Sequence, residues 1–168
     1  MSDRLPLSAF RLPALVVALG SALALAAALI FQYGFGYLPC ALCHDQRYAH
    51  VAALVLALAA LLVPKRAHRP LMILAGLALL TGAGLAAYHV GIEQGWWQGP
   101  SGCTTAALDA AQSREELRDA LLATPVVRCD EVAWSLFGIS MAGYNFILSL
   151  GLAAVALLGP GLVKRRAS

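Results

Sequence analysis

Charge is what this chain has least of. Only 12% of its 168 residues are Asp, Glu, Lys or Arg, where a soluble domain carries about 25%. With 60% hydrophobic residues, that scarcity excludes an ordinary soluble domain and calls for an integral membrane protein. Internal repeats are missing, and so is low-complexity sequence beyond the Ala/Leu bias that lipid imposes. No small-residue A-x-A-like site follows Ile30, where Phe31-Gln32-Tyr33-Gly34-Phe35 comes next. The first apolar run is therefore read as a retained span, although Arg4 and Arg11 precede it as they would in a secretory signal. No cysteine lies inside an apolar run.

Four apolar runs are present: Leu12 to Phe31, Tyr48 to Val63, Leu71 to Ile92 and Ile139 to Leu158. Crossing a hydrocarbon core takes about 20 helical residues, which the second run reaches only if Asp45 to Arg47 form its first turn at the interface. The expectation is an all-α membrane protein forming a single domain, a bundle of four transmembrane helices spanning about 12–32, 45–63, 71–92 and 137–159. Two outer loops, about 33–44 and 93–136, lie on one face, and a Pro64 to Pro70 turn joins the second and third spans on the other.

Charge, though sparse, is sorted. Arg4, Arg11, Lys65, Arg66, Arg69, Lys164, Arg165 and Arg166 fall on the face of the termini, leaving Arg47, Arg114, Arg118 and Arg128 for the other. By the positive-inside rule the first face is cytoplasmic, with both termini. Such clusters beside spans are topology signals, so no nucleic-acid partner is implied. All four cysteines then lie outside, which points to disulfide chemistry in an oxidising compartment, the periplasm of a bacterium.

The most informative stretch is Pro39-Cys40-Ala41-Leu42-Cys43-His44-Asp45-Gln46-Arg47. Cys43 falls where the second helix would begin, and a helix N-terminus favours a thiolate through its unpaired N–H groups and partial positive charge. Arg47, one turn on, adds a full charge to the same face. His50 continues that face and is an ionisable group within a span, hence a functional candidate. His89 would lie near the depth of Cys43 and Arg47. Phe31, Tyr33, Phe35 and Tyr37 repeat with a period of two that does not continue a helix, and are read as an interfacial belt, or else as one wall of a pocket for a flat ring. Asn145 is a candidate bridge between helices.

The second outer loop holds Cys103, after the turn Gly99-Pro100-Ser101-Gly102, and Cys129. Between them Thr105 to Leu122 has the pattern of a short amphipathic helix. Two cysteine pairs suggest a relay. Cys103 and Cys129, widely spaced, suit docking against another protein; Cys40 and Cys43, at the membrane surface, suit exchange with something dissolved in lipid. Attack of a thiolate on a neighbouring disulfide would pass the oxidised state along. The most available lipid-soluble oxidant is a quinone, ubiquinone or menaquinone.

These residues resemble the disulfide bond formation protein B (DsbB) family of bacterial inner-membrane thiol oxidases. The likeness runs the length of the chain: four spans, Pro-Cys-x-x-Cys before the second with Arg four residues after its second Cys, a cysteine pair in the second outer loop, and the ending Phe137-Gly138-Ile139-Ser140-Met141-Ala142-Gly143-Tyr144-Asn145. The resemblance implies that a reduced thioredoxin-fold protein similar to DsbA attacks at Cys103, that Cys129 then engages Cys40, and that Cys43 becomes the thiolate facing a bound quinone. Arg47 matches the family's arginine beside the quinone. The family's quinone-associated histidine follows the third span, and aligning on Tyr88 puts His89 one position early. His44, Asp45 and Gln46 also depart from the more apolar, Glu-containing turn of the family.

Two rival readings belong to other classes. A metal-handling membrane protein would use the four cysteines with His44 or His89; the C-x-x-C spacing fits zinc, but Cys103 and Cys129 form no second close pair, and no metal site is expected. A structural tetraspan would keep two inert disulfides, a role ill suited to an exposed C-x-x-C beside an arginine.

Overall fold

The computed structural model describes residues 7–99, 113 and 127–166. Four long helices dominate it: α1, Leu7–Leu29; α2, Ala41–Leu62; α3, Lys65–Glu93; and α4, Met141–Arg166. A π-helical turn, Ile30–Gly34, extends α1, and a two-stranded antiparallel hairpin precedes α4, with β1 at Ser135–Leu136 and β2 at Ile139–Ser140. All four helices contain stretches long and apolar enough to cross a membrane. Each packs on two neighbours, α1 on α2 and α4, and α3 on α2 and α4, so that α1 faces α3 and α2 faces α4 across the diagonals.

Small side chains hold this bundle together. Ala14, Val17, Ala18 and Ser21 of α1, Ala53, Ala57 and Ala60 of α2, and Ser149, Leu152, Ala153 and Ala156 of α4 are buried at three- and four-residue spacing. In lipid the outer faces gain nothing from hiding, so association rests on close backbone approach. Gly82 shows how close: a Cβ built there would stand 2.8 Å from the Ala49 Cβ of α2. Leucines such as Leu19, Leu23, Leu58 and Leu158 point outward, as helices apolar all round require.

Three boundaries differ from the sequence expectation. The period-two aromatics do not break helix one at once: the chain continues through Gly34 in the wider π register, and only Gly36, at φ +77°, turns it away. The turn after α2 is shorter than Pro64 to Pro70, because α3 starts at Lys65 with Pro64 as its cap residue. A proline is well placed immediately before a helix, and Pro70 is carried inside it. Residues 137–140, expected in the fourth span, form the tip and second strand of the hairpin. Phe137 and Gly138 both have positive φ, 52° and 79°, the conformation of a tight two-residue hairpin loop that a helix cannot contain. The amphipathic segment Thr105 to Leu122 and Cys103 lie outside the described residues, save Ser113.

Candidate active site

Cys40 caps α2. Its backbone is extended, at φ −78° and ψ 174°, and its Sγ accepts the Cys43 N–H at 3.3 Å, satisfying one of the donors a helix start leaves open. Cys43 therefore sits in the first turn, where the helix dipole favours negative charge. Both cysteines are free thiols, with sulfurs 2.9 Å apart. Cys43 is partly exposed and Cys40 buried. The hydrogen bond to Cys43, reinforced by burial, pushes the Cys40 thiol well above its ordinary range. Cys40 thus keeps its proton and shares it with Cys43.

Cys129 is disulfide-bonded and is brought from the segment before β1 into this pair's own apolar cluster, with Cys40, Leu42 and Ile92 buried beside Cys43 and Val127. The sulfurs of Cys40 and Cys129 and a ring nitrogen of His89 all lie within 4.8 Å of one another. His89, though one position early against the family pattern, is buried with Nε2 3.7 Å from Cys40 Sγ. The cysteines of such a trio can ligate a metal only as thiolates, and the Cys129 sulfur is committed to its disulfide. His44, the other ligand of the metal reading, is exposed.

Beside the sulfurs opens a cavity of about 360 Å³, lined mostly by apolar groups, with Cys43, Gln46, Arg47, His50, His89 and Asn145 converging on it. Its size and its few placed polar groups are those of a small-molecule site. Arg47 reaches across to the end of α1, where Nη1 donates to Gln32 Oε1 at 2.6 Å and Nη2 to the Ala28 carbonyl at 3.3 Å. Gln32 belongs to the π turn, a feature that gathers at functional sites. Among the described residues no carboxylate lies within ion-pair distance of Arg47, although Glu93 and Glu131 line the same cavity. Phe31 and Tyr37 form part of the wall, with Trp134 at 5.1 Å from the Phe31 ring and Tyr144 behind it. Tyr33 and Phe35 point outward, 78% and 68% exposed. The four aromatics are thus divided between belt and wall.

His50 lines the same cavity as Cys43 and Arg47. It is buried and turned inward, its Nε2 2.8 Å from Asn145 Oδ1 on α4, while Arg47 points toward α1. Asn145 does bridge helices, through His50 and through Gln46 Oε1 at 2.6 Å. Sequence reading missed Gln32, Gln46 and Ser140. Gln46 was noticed only as a departure from the family turn; uncharged amides in apolar surroundings were the available signal. Ser140 accepts the Gly143 N–H as the cap of α4 and donates to Glu93 of α3, closing the cysteine end of the bundle.

Four membrane-capable helices carrying a free dithiol and a disulfide in one buried cluster define a membrane protein of disulfide exchange. Residues 10–159 match the family described as Disulfide bond formation protein DsbB. The chain belongs to that family. It is 32% identical over 135 residues to a Disulfide bond formation protein B of Methylobacillus flagellatus, covering 78% of this chain and 81% of that one. Over 77 residues it is 43% identical to a Disulfide bond formation protein B of Herminiimonas arsenicoxydans, 46% of this chain and 49% of the other. An uncharacterised protein of Rickettsia prowazekii is 30% identical over 132 residues, 77% of this chain and 76% of its own length. No solved structure matches the chain.

Proposed function

We propose that this protein is a quinone-dependent thiol oxidase of a bacterial inner membrane. It takes two electrons and two protons from a periplasmic dithiol protein of thioredoxin-like fold, similar to DsbA, and delivers them to ubiquinone or menaquinone. The observation that carries this is the Cys129 disulfide within 4.8 Å of Cys40, whose partner Cys43 borders the cavity.

In the proposed cycle the substrate thiolate attacks Cys103, forming a mixed disulfide and releasing Cys129 as a thiolate. Cys129 attacks Cys40 of an oxidised Cys40–Cys43 pair, and Cys43 leaves as the thiolate. The second substrate thiol resolves the mixed disulfide and leaves as the oxidised protein. Cys103 then displaces Cys40 from Cys129, restoring the loop disulfide and leaving the Cys40–Cys43 pair as the dithiol. A quinone, when bound, supplies the two-electron acceptor that reoxidises this pair. Arg47, fixed by Gln32, holds positive charge where negative charge develops. The cavity's apolar wall suits a ring partitioned from lipid.

The cysteine end of the bundle is assigned to the periplasm and both termini to the cytoplasm, on the sorting of Lys and Arg. The decisive experiment mixes purified protein, a short-chain quinone and a reduced thioredoxin-fold dithiol and follows quinol formation. Cys43→Ser is expected to abolish turnover and Cys103→Ser to block only the protein-substrate step. Normal turnover by Cys43→Ser would overturn the assignment of the electron-donating sulfur.

A further inference from the structure

A chain of buried and half-buried polar side chains runs from the cysteines across the bundle. His89 Nδ1 lies 3.0 Å from Gln46 Nε2, Gln46 Oε1 accepts from Asn145 Nδ2 at 2.6 Å, and Asn145 Oδ1 lies 2.8 Å from His50 Nε2. These groups come from α3, α2, α4 and α2 again, spanning the diagonal between α2 and α4. Gln46, His50 and His89 are each at least nine-tenths buried.

An amide has two unlike ends, a donating NH₂ and an accepting oxygen. With its NH₂ on Gln46, Asn145 must turn its oxygen to His50. With its oxygen on Asn145, Gln46 must turn its NH₂ to His89. His89 Nδ1 is then an acceptor, and the neutral ring carries its proton on Nε2. A chain with every amide reversed would be equally self-consistent, so the far end has to break the tie. It does so at the cysteines: His89 Nε2 lies 3.7 Å from Cys40 Sγ, a sulfur whose own proton is shared with Cys43 and which therefore meets the ring as an acceptor. Nδ1 being engaged by Gln46, the donor is Nε2–H, and the same ring hydrogen-bonds the backbone of Cys129.

We propose that Gln46, Asn145 and His50 are positioning residues that hold His89 as an Nε2–H donor, and that this donor seats the Cys129 segment beside Cys40. Its kinetic consequence rests on the proposed thiol-oxidase function; the tautomer itself does not.

The test uses full-length protein in lipid nanodiscs with ¹⁵N-labelled histidine, the His89 resonances being assigned through His89→Gln. Wild type is expected to show His89 protonated at Nε2. Gln46→Glu places an acceptor-only carboxylate between Asn145 and His89, so His89 is expected to move its proton to Nδ1. With quinone omitted and reduced thioredoxin-fold dithiol added to oxidised protein, release of the Cys43 thiol is expected to slow about tenfold, the loss of one hydrogen bond at the seat. Asn145→Asp imposes the same reversal from one link further away and serves if Gln46→Glu does not fold. Asn145→Leu frees the Gln46 amide to turn and should give both tautomers with an intermediate rate. An Nδ1-protonated His89 in wild type, an unchanged tautomer in the folded acidic variants, or a reversed tautomer with an unchanged rate would each overturn the proposal. Failure of wild type to form quinol would overturn the proposed function and leave the tautomer result standing.

Discussion

The disulfide-bonded sulfur of Cys129 and the free sulfur of Cys40 lie within 4.8 Å of each other, although 89 positions separate them in the chain. Removing both thiols that could resolve a bond between them, Cys43 and Cys103, should let a mild oxidant trap that bond. In protein carrying Cys43→Ala and Cys103→Ala and treated with diamide, the Cys40 and Cys129 thiols are expected to be oxidised to a disulfide, and a non-reducing peptide map should recover a Cys40–Cys129 link. Recovery of Cys40 only as a free thiol, after incubation at mildly alkaline pH, would mean that the contact is not productive.

The paired thiols should also differ in reactivity. Because the hydrogen bond to Cys43 and burial raise the Cys40 thiol, Cys40 stays protonated below its raised pKa and does not supply the reactive anion. Iodoacetamide labelling of reduced protein between about pH 6 and 9 is expected to modify Cys43 before Cys40. Cys43→Ala removes the first cause of the shift, so the onset of Cys40 labelling should move to lower pH. Mass spectrometry of labelled peptides reads both effects.

Gln32 is expected to matter to the acceptor through Arg47. The 2.6 Å hydrogen bond is charge-assisted, a type worth about 1.5–3 kcal/mol. Gln32→Leu should raise the KM for a short-chain quinone roughly tenfold with little change in the KM for the dithiol protein. Arg47→Ala should have the larger effect on the same constant. Equal changes in both KM values would point to general damage instead.

Packing at Gly82 offers a test of the bundle alone. Gly82→Ala puts a Cβ 2.8 Å from the Ala49 Cβ, and forcing the helices apart should cost about 1–3 kcal/mol. Thermal melting in detergent is expected to show the loss, and Ala49→Gly in the same molecule should recover most of it. Absence of recovery would place the strain elsewhere.

Ser140→Ala should lower stability by about 1 kcal/mol, the usual value of a helix cap, because Ser140 Oγ accepts the Gly143 N–H and its hydroxyl donates to Glu93. Ser140→Asp keeps a capping oxygen but sets a second carboxylate against Glu93, so it is expected to melt below wild type as well. The same detergent melts decide this.

By itself the sequence determined the membrane class, the number of spans and the setting of Cys43, because each depends on local rules. Apolar run length decides whether a helix can cross lipid, and a helix start acts on the residues of its own first turn. Only the tertiary structure decided that Cys129 would share a cluster with Cys40, that Arg47 would turn to Gln32 while His50 turned to Asn145, and that Phe31 and Tyr37 would be wall while Tyr33 and Phe35 faced out. The hairpin before α4 was likewise hidden, since apolar residues 137–140 suit a span until Phe137 and Gly138 adopt positive φ. The physical reason is the solvent. Lipid accepts apolar side chains on every face of a helix, so hydrophobic periodicity no longer marks which face turns inward. That orientation is set by partners distant in the chain, the amides and small residues that meet only once the four helices have packed.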